Sequence, residues 1–240
     1  KGTERIPAAA RFIKRLQDAG KTVLFVTNNS TRTPEFVANN LRENHQINVT
    51  ADNVYTTALA TADYLDKAAG DRRRVYAVGE SGLRDALRHR HFRLTDQHPD
   101  YVVGLDSQVT YAKLETAVLL IRAGATFIGT NADSNLPNER GMVPGAGSLI
   151  KLVEYATQQQ PIMIGKPEAT IMKMALQKAG LTKDQVVMVG DNYNTDIRAA
   201  INTGMDSLLV YTGLSTPEQV AAMPVQPTHT VNSLDEWTVE

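Results

Sequence analysis

Short β-branched and apolar runs alternate with stretches of helical spacing along almost the whole chain, the pattern of α/β units built on a parallel sheet. Pro7 suits the first turn of a helix that turns Phe12, Ile13 and Leu16 to one face and stops near Gly20. Thr22-Val23-Leu24-Phe25-Val26 shows no polar alternation, which predicts a strand buried on both faces. It ends abruptly in Thr27-Asn28-Asn29-Ser30. Thr33-Pro34 opens a second helix with Val37 and Leu41 inward, and Ala, Leu and Tyr spacing predicts a third over residues 57–68.

Gly70-Asp71-Arg72-Arg73-Arg74 breaks this rhythm and marks a boundary candidate. Beyond it, strands are expected at Val75–Val78, Tyr101–Leu105 and Ala125–Ile128, with helices near 80–90 and 110–123, the latter capped by Thr110 and ended at Gly124. Asn131 to Gly147, rich in Asn, Pro and Gly, reads as an irregular loop. From Pro161 the first style returns. Ile162–Ile164 and Val186–Val189 are apolar strands, each followed by a helical pattern, and Ser207–Tyr211 is a further strand. The expected architecture is a doubly wound parallel α/β core, residues 1–71 and 160–240, interrupted by an inserted α/β domain at 72–159.

Composition narrows the function classes. The chain has 240 residues, 42% apolar and 21% charged, which suits a soluble globular protein and excludes a disordered one. With 25 basic against 26 acidic side chains there is no electrostatic footprint for nucleic acid or an anionic membrane. No apolar run approaches the ~20 residues of a membrane span, and the expected location is the cytoplasm. With no cysteine, thiol catalysis and Cys-ligated zinc are excluded. Of the five histidines, only His89 and His91 are closely spaced, and on one helix they would face apart. Arg84, Arg88, Arg90 and Arg93 read as a solvated surface. There is no Walker A or Gly-x-Ser-x-Gly sequence, and Gly145-Ala146-Gly147 lacks the third glycine of a dinucleotide fingerprint.

The chemistry gathers where apolar strands end. Thr27 with Asn28, Lys166, and Asp191 with Asp196 all follow such strands, and in open parallel sheets ligands bind outside the carboxyl ends of the strands. A hydroxyl, an ammonium and a carboxylate pair suit a phosphate monoester with a hard divalent cation such as Mg²⁺. Each part also has a structural explanation. Thr27 and Asn28 could close a turn, Lys166 could be solvated, and Asp196 could complement a helix dipole behind a cap at Asn194 or Thr195. Asp191 is harder to dismiss, because a carboxylate beside an apolar strand costs free energy unless paired or metal-bound.

Val26-Thr27-Asn28-Asn29-Ser30, Gly165-Lys166-Pro167 and Val189-Gly190-Asp191-Asn192-Tyr193-Asn194-Thr195-Asp196 resemble the second, third and fourth motifs of haloacid dehalogenase superfamily phosphatases. Gly129-Thr130-Asn131-Ala132-Asp133 with Pro144-Gly145-Ala146-Gly147-Ser148 resembles the NagD-like, type IIA subfamily, which carries a large α/β cap between its second and third motifs. The resemblance implies a phosphatase of small phosphorylated metabolites, sugar phosphates or nucleoside monophosphates among them, working through an aspartyl-phosphate with Mg²⁺. It implies Thr27, Asn28 and Asn192 as phosphate-binding groups, Lys166 as the charge-neutralising lysine, and Asp191 and Asp196 as the metal-holding pair. It points to Asn131 and Asp133 as substrate-facing cap residues. Oligomeric state stays open, a homodimer included.

The family's first motif, Asp-x-Asp on a strand, belongs just before a stretch like Lys1–Pro7 and does not occur there. Asp18, at the end of an amphipathic helix, cannot replace it. The chain opens Lys1-Gly2-Thr3 without a methionine, so the expectation is a nucleophile upstream of Lys1. The alternative from another class is a phospho-ligand-binding regulatory protein without a nucleophile.

Overall fold

The computed structural model describes residues 5–105, 108–138 and 140–239. Most of the Lys1–Pro7 stretch, on which the expected upstream motif bears, lies outside them. The chain divides into two compact units. The first comprises Lys1–Val26, Pro34–Tyr55 and Lys166–Glu240; the second comprises Thr27–Thr33 and Thr56–Gly165. Residues 72–159 fall wholly within the second unit, together with the turn after the first strand and the helix Thr57–Ala69.

In the first unit, Val187–Gly190, Asp206–Val210 and His229–Val231 form a parallel sheet in that order. The helix Pro7–Asp18 begins on its proline as expected and buries Phe12 against Leu208, Val210 and Leu234. Helices Pro34–His45, Ala169–Ala179 and Arg198–Thr203 complete the α/β alternation. The short strands Phe25–Thr27 and Val54–Thr56 pair, and the second of them, fully buried, has no counterpart in the sequence reading.

One expectation needs correction here. Phe25–Thr27 is half-buried throughout rather than buried on both faces, and in the strand Val187–Gly190 Val187 is 43% exposed. Among the described residues both strands have a neighbour on one side only, so an apolar run here marks a strand without specifying its cover.

The second unit carries a five-stranded, all-parallel sheet. Its order is Arg93–Leu94, Arg74–Gly79, Tyr101–Leu105, Thr126–Gly129, Ile162–Met163. Helices Tyr111–Arg122 and Ala146–Thr157 pack on it through Ile121, Ile150 and Val153 against Val78, Val102 and Phe127. Thr110 caps its helix as expected, its hydroxyl accepting the Lys113 N–H at 3.4 Å. Thr57–Ala69 packs against Ser81–His89.

The stretch read as an irregular loop contains an antiparallel hairpin, Asn135–Asn138 with Gly141–Pro144. Its strands are short, Pro137 interrupts one of them, and neither alternates cleanly, so neither period was visible in the sequence. His91 also differs: it lies past the helix end with φ 61°, while His89 Nδ1 sits 2.8 Å from the Asp85 carbonyl. No helix among the described residues is long and apolar enough to cross a membrane.

Candidate active site

The predicted site residues fall into two groups, one in each unit. In the first unit, Lys166 follows the strand Ile162–Met163 and is 9% exposed. Its Nζ donates to Asp196 Oδ1 at 2.7 Å and to the Val26 carbonyl at 3.1 Å. A lysine this deeply buried must be paired, so the solvated-loop explanation does not hold.

Asp196 is 7% exposed and its second oxygen is also used. Oδ2 accepts the backbone N–H groups of Asp191 at 3.3 Å and Asn192 at 3.2 Å. This is possible because residues Tyr193–Ile197 form a π-turn, a widened turn of the kind found at functional sites, which swings the carboxylate back under the end of the strand. The cap of that turn is Asn192, whose Oδ1 accepts the Asn194 N–H at 3.0 Å, and not Asn194 or Thr195 as the sequence suggested. Gly190 makes the close approach possible, since a Cβ there would fall 2.5 Å from Asp196 Oδ2.

Asp191 ends the strand, and its carboxylate lies against Gly213, where a Cβ would fall 1.9 Å from Oδ2. Its carbonyl accepts the N–H groups of Leu214 at 3.2 Å and Ser215 at 3.1 Å. Ser215 Oγ takes the Tyr193 N–H at 2.8 Å, and the Tyr193 hydroxyl donates to the Val225 carbonyl at 2.6 Å. Gly213, Ser215 and Tyr193 therefore hold the Asp191 turn, and sequence reasoning missed all three roles. A Gly-Leu-Ser step after a strand reads simply as a turn.

In the second unit, Thr27, Asn28, Asn131 and Asp133 come together. Asn28 Nδ2 donates to Asp133 Oδ1 at 3.1 Å and Oδ2 at 3.2 Å. The Asn28 carbonyl accepts both Thr57 Oγ1 and Asn131 Nδ2 at 2.8 Å. Asn131, only 4% exposed, accepts the Asp133 N–H through Oδ1 at 3.1 Å. The Asn29 N–H donates to Thr27 Oγ1 at 3.2 Å, while Asn29 Oδ1 caps the turn by accepting from Thr31 and Arg32. Thr57, fully buried at the start of its helix, is the member that the sequence did not single out.

Among the described residues no three acidic or histidine side chains gather into one cluster. Asp196 is committed to Lys166 and two amides, and Asp191 is the carboxylate at the end of the strand Val187–Gly190. Its donors are hard oxygens on a turn braced by Gly213, and that suits a cation that keeps several waters and takes one or two carboxylates, as Mg²⁺ does.

The motifs around Thr27, Lys166 and Asp191 stand in the chain order of a haloacid dehalogenase-type hydrolase, and this chain is a member of that family. The model described as haloacid dehalogenase-like hydrolase matches residues 1–93, and that described as HAD-hydrolase-like matches residues 163–237. The 5'-nucleotidase YutF of Bacillus subtilis is 44% identical over 98% of this chain and 92% of its own. An acid sugar phosphatase of Staphylococcus aureus is 48% identical over 100% of this chain and 92% of its own. A thermostable NPPase from Geobacillus stearothermophilus, a double mutant, superposes with a TM-score of 0.91 at 44% identity, covering 97% of this chain and 92% of that one. NagD from E. coli gives 0.91 at 32% identity, over 97% of this chain and 91% of that one. The NagD-like branch is thus supported by sequence and by fold.

Proposed function

We propose that the protein is a Mg²⁺-dependent phosphomonoesterase acting on small phosphorylated metabolites, with residues 1–71 and 160–240 as its catalytic core and 72–159 as the cap. The observation that carries this reading is Lys166, a buried cation held at a fixed point by Asp196 and the Val26 carbonyl. The family resemblance implies a phosphate grip that uses the Thr27 hydroxyl and this lysine. Relatives named as a 5'-nucleotidase and an acid sugar phosphatase agree with monoester substrates of nucleotide or sugar type.

In this reading Thr27 and Asn28 donate to phosphate oxygens, and the Lys166 ammonium offsets the charge that builds as a carboxylate nucleophile approaches an anionic phosphate. Phosphoryl transfer to an aspartate is the step that family resemblance implies. Asp191 would hold the Mg²⁺, whose part is to neutralise phosphate charge. Asp196 steers the Asp191 turn and keeps Lys166 in place, and Asn192 caps that turn.

The test is hydrolysis of para-nitrophenyl phosphate by the full-length protein with and without Mg²⁺, for wild type and Asp191→Asn. Wild-type turnover that stops on chelation and returns with Mg²⁺, with at least about a 100-fold loss in the variant, is expected. Turnover indifferent to chelator, or an Asp191→Asn variant with undiminished Mg²⁺ affinity by titration calorimetry, would count against the assignment.

A further inference from the structure

Asp133 is a carboxylate in a site proposed to take an anion, which is the wrong charge for a phosphate contact. Its oxygens are instead directed at a neighbour. Both face Asn28 Nδ2, at 3.1 and 3.2 Å, while Asn28 Oδ1 lies toward Gly165, where a Cβ would come within 2.8 Å of it. The amide of Asn28 is therefore fixed in one orientation. Its backbone carbonyl is fixed as well, by Thr57 Oγ1 and Asn131 Nδ2, both at 2.8 Å.

Those bonds set the plane of the following peptide, so the Asn29 N–H is aimed at Thr27 Oγ1, 3.2 Å away. A hydroxyl that accepts a hydrogen bond from behind keeps its own hydrogen to donate forward. Asp133 is itself anchored. Its N–H donates to Asn131 Oδ1, and its carbonyl accepts the Gly147 N–H at 2.9 Å from the start of a helix. A chain of hydrogen bonds therefore runs from that helix through Asp133 and Asn28 to the Thr27 hydroxyl.

We infer that Asp133 is a positioning residue, not a substrate contact: acting through Asn28 and the peptide that follows it, it presents the Thr27 hydroxyl and the Asn28 amide to phosphate. This inference rests on the phosphatase reading given above. It assigns Asp133 to the grip on the phosphoryl group, which every substrate shares, and takes it out of the choice of leaving group.

The experiment is a double-mutant cycle in the full-length protein with Asn28→Ala, Asp133→Ala and the pair, plus Asp133→Asn as the conservative variant. Turnover is read on a small aryl phosphate and on a sugar phosphate, and orthophosphate binding is read by titration calorimetry. Asp133→Ala should lower kcat/KM by roughly 10- to 100-fold, by the same factor on both substrates. The pair should be no worse than Asn28→Ala alone, and Asp133→Asn, which keeps one acceptor for Nδ2, should recover most of the loss. Losses that multiply, or a loss that falls on one substrate only, would overturn the inference and make Asp133 a direct contact. A loss that follows the folded fraction in thermal melts would overturn it in favour of a structural role. A wild type without turnover would instead sink the phosphatase reading. Orthophosphate affinity, weakened equally and non-additively by the two substitutions, would still uphold the link from Asp133 to Asn28.

Discussion

Single side chains carry the sharpest consequences. Thr61 is fully buried on the helix Thr57–Ala69, and its hydroxyl has no hydrogen-bond partner among the described residues. A buried unsatisfied hydroxyl costs about 1–3 kcal/mol, and valine has nearly the same shape without it. Thr61→Val should therefore stabilise the protein by about 1 kcal/mol in urea unfolding, and a lower midpoint would refute the accounting. Gly213 is the opposite case. A methyl group there would collide with the Asp191 Cβ as well as with its carboxylate, so Gly213→Ala should displace the Asp191 turn, lower the melting temperature and, if Asp191 holds Mg²⁺ as proposed, raise the Mg²⁺ concentration needed for half-maximal turnover at least tenfold. Asp191 stood out in the sequence because a carboxylate beside an apolar strand has few excuses, whereas Lys166 stood out only through its motif and its order along the chain. Gly213, Ser215 and Thr57 did not stand out, because a glycine or hydroxyl residue at a turn or a helix start has many ordinary explanations.

Elements were legible where they were long and periodic, as in the helices Tyr111–Arg122 and Ala146–Thr157, and illegible where two- or three-residue strands depend on a neighbour. His229–Val231 is of that kind, defined by its pairing with Asp206–Val210. In the larger sheet, register is pinned at one strand end by Asp100. Its Oδ2 accepts the Arg74 N–H at 2.9 Å, its N–H donates to the Arg74 carbonyl at 2.8 Å, and its carbonyl accepts the Thr126 N–H at 2.9 Å, so three adjacent strands meet there. Burial pushes the Asp100 carboxyl up, but the Arg74 N–H, the Arg74 guanidinium and the nearby Arg72 outweigh it and hold the pKa below its ordinary value. A depressed carboxyl contributes stability that is fully present above its unfolded pKa of about 3.9 and is lost as pH falls through the lower folded value. Asp100→Asn should thus cost about 1 kcal/mol at neutral pH. The gap to wild type should close progressively below about pH 4. A gap that stayed constant down to pH 2 would show that the carboxylate charge is not what matters.

At the scale of the whole molecule, the alternation of strands and helices was enough to give the parallel α/β class. The charged run Gly70–Arg74 carries more than its composition shows: Arg72 lies over the Tyr101 ring at 4.8 Å and Arg73 over Phe92 at 5.1 Å, both within the second unit. Tertiary stacking of this kind leaves no trace in composition. What the first unit cannot easily lose is the Lys166–Asp196 pair, whose ammonium reaches a carboxylate 30 residues away in sequence and also donates to the Val26 carbonyl, 140 residues away. Removing one partner of a buried pair leaves an uncompensated charge and costs about 3–5 kcal/mol. Set against a typical net stability of about 5–15 kcal/mol, that is enough to threaten folding as well as catalysis. Lys166→Met should therefore lower the urea midpoint strongly and reduce turnover by at least about 100-fold. Adding Asp196→Asn removes the stranded charge, so the double variant should regain part of the stability while staying as inactive as the single one. A double variant no more stable than Lys166→Met would show that the pair's charge is not what the fold depends on, and a double variant that regained turnover would take the lysine out of the chemistry.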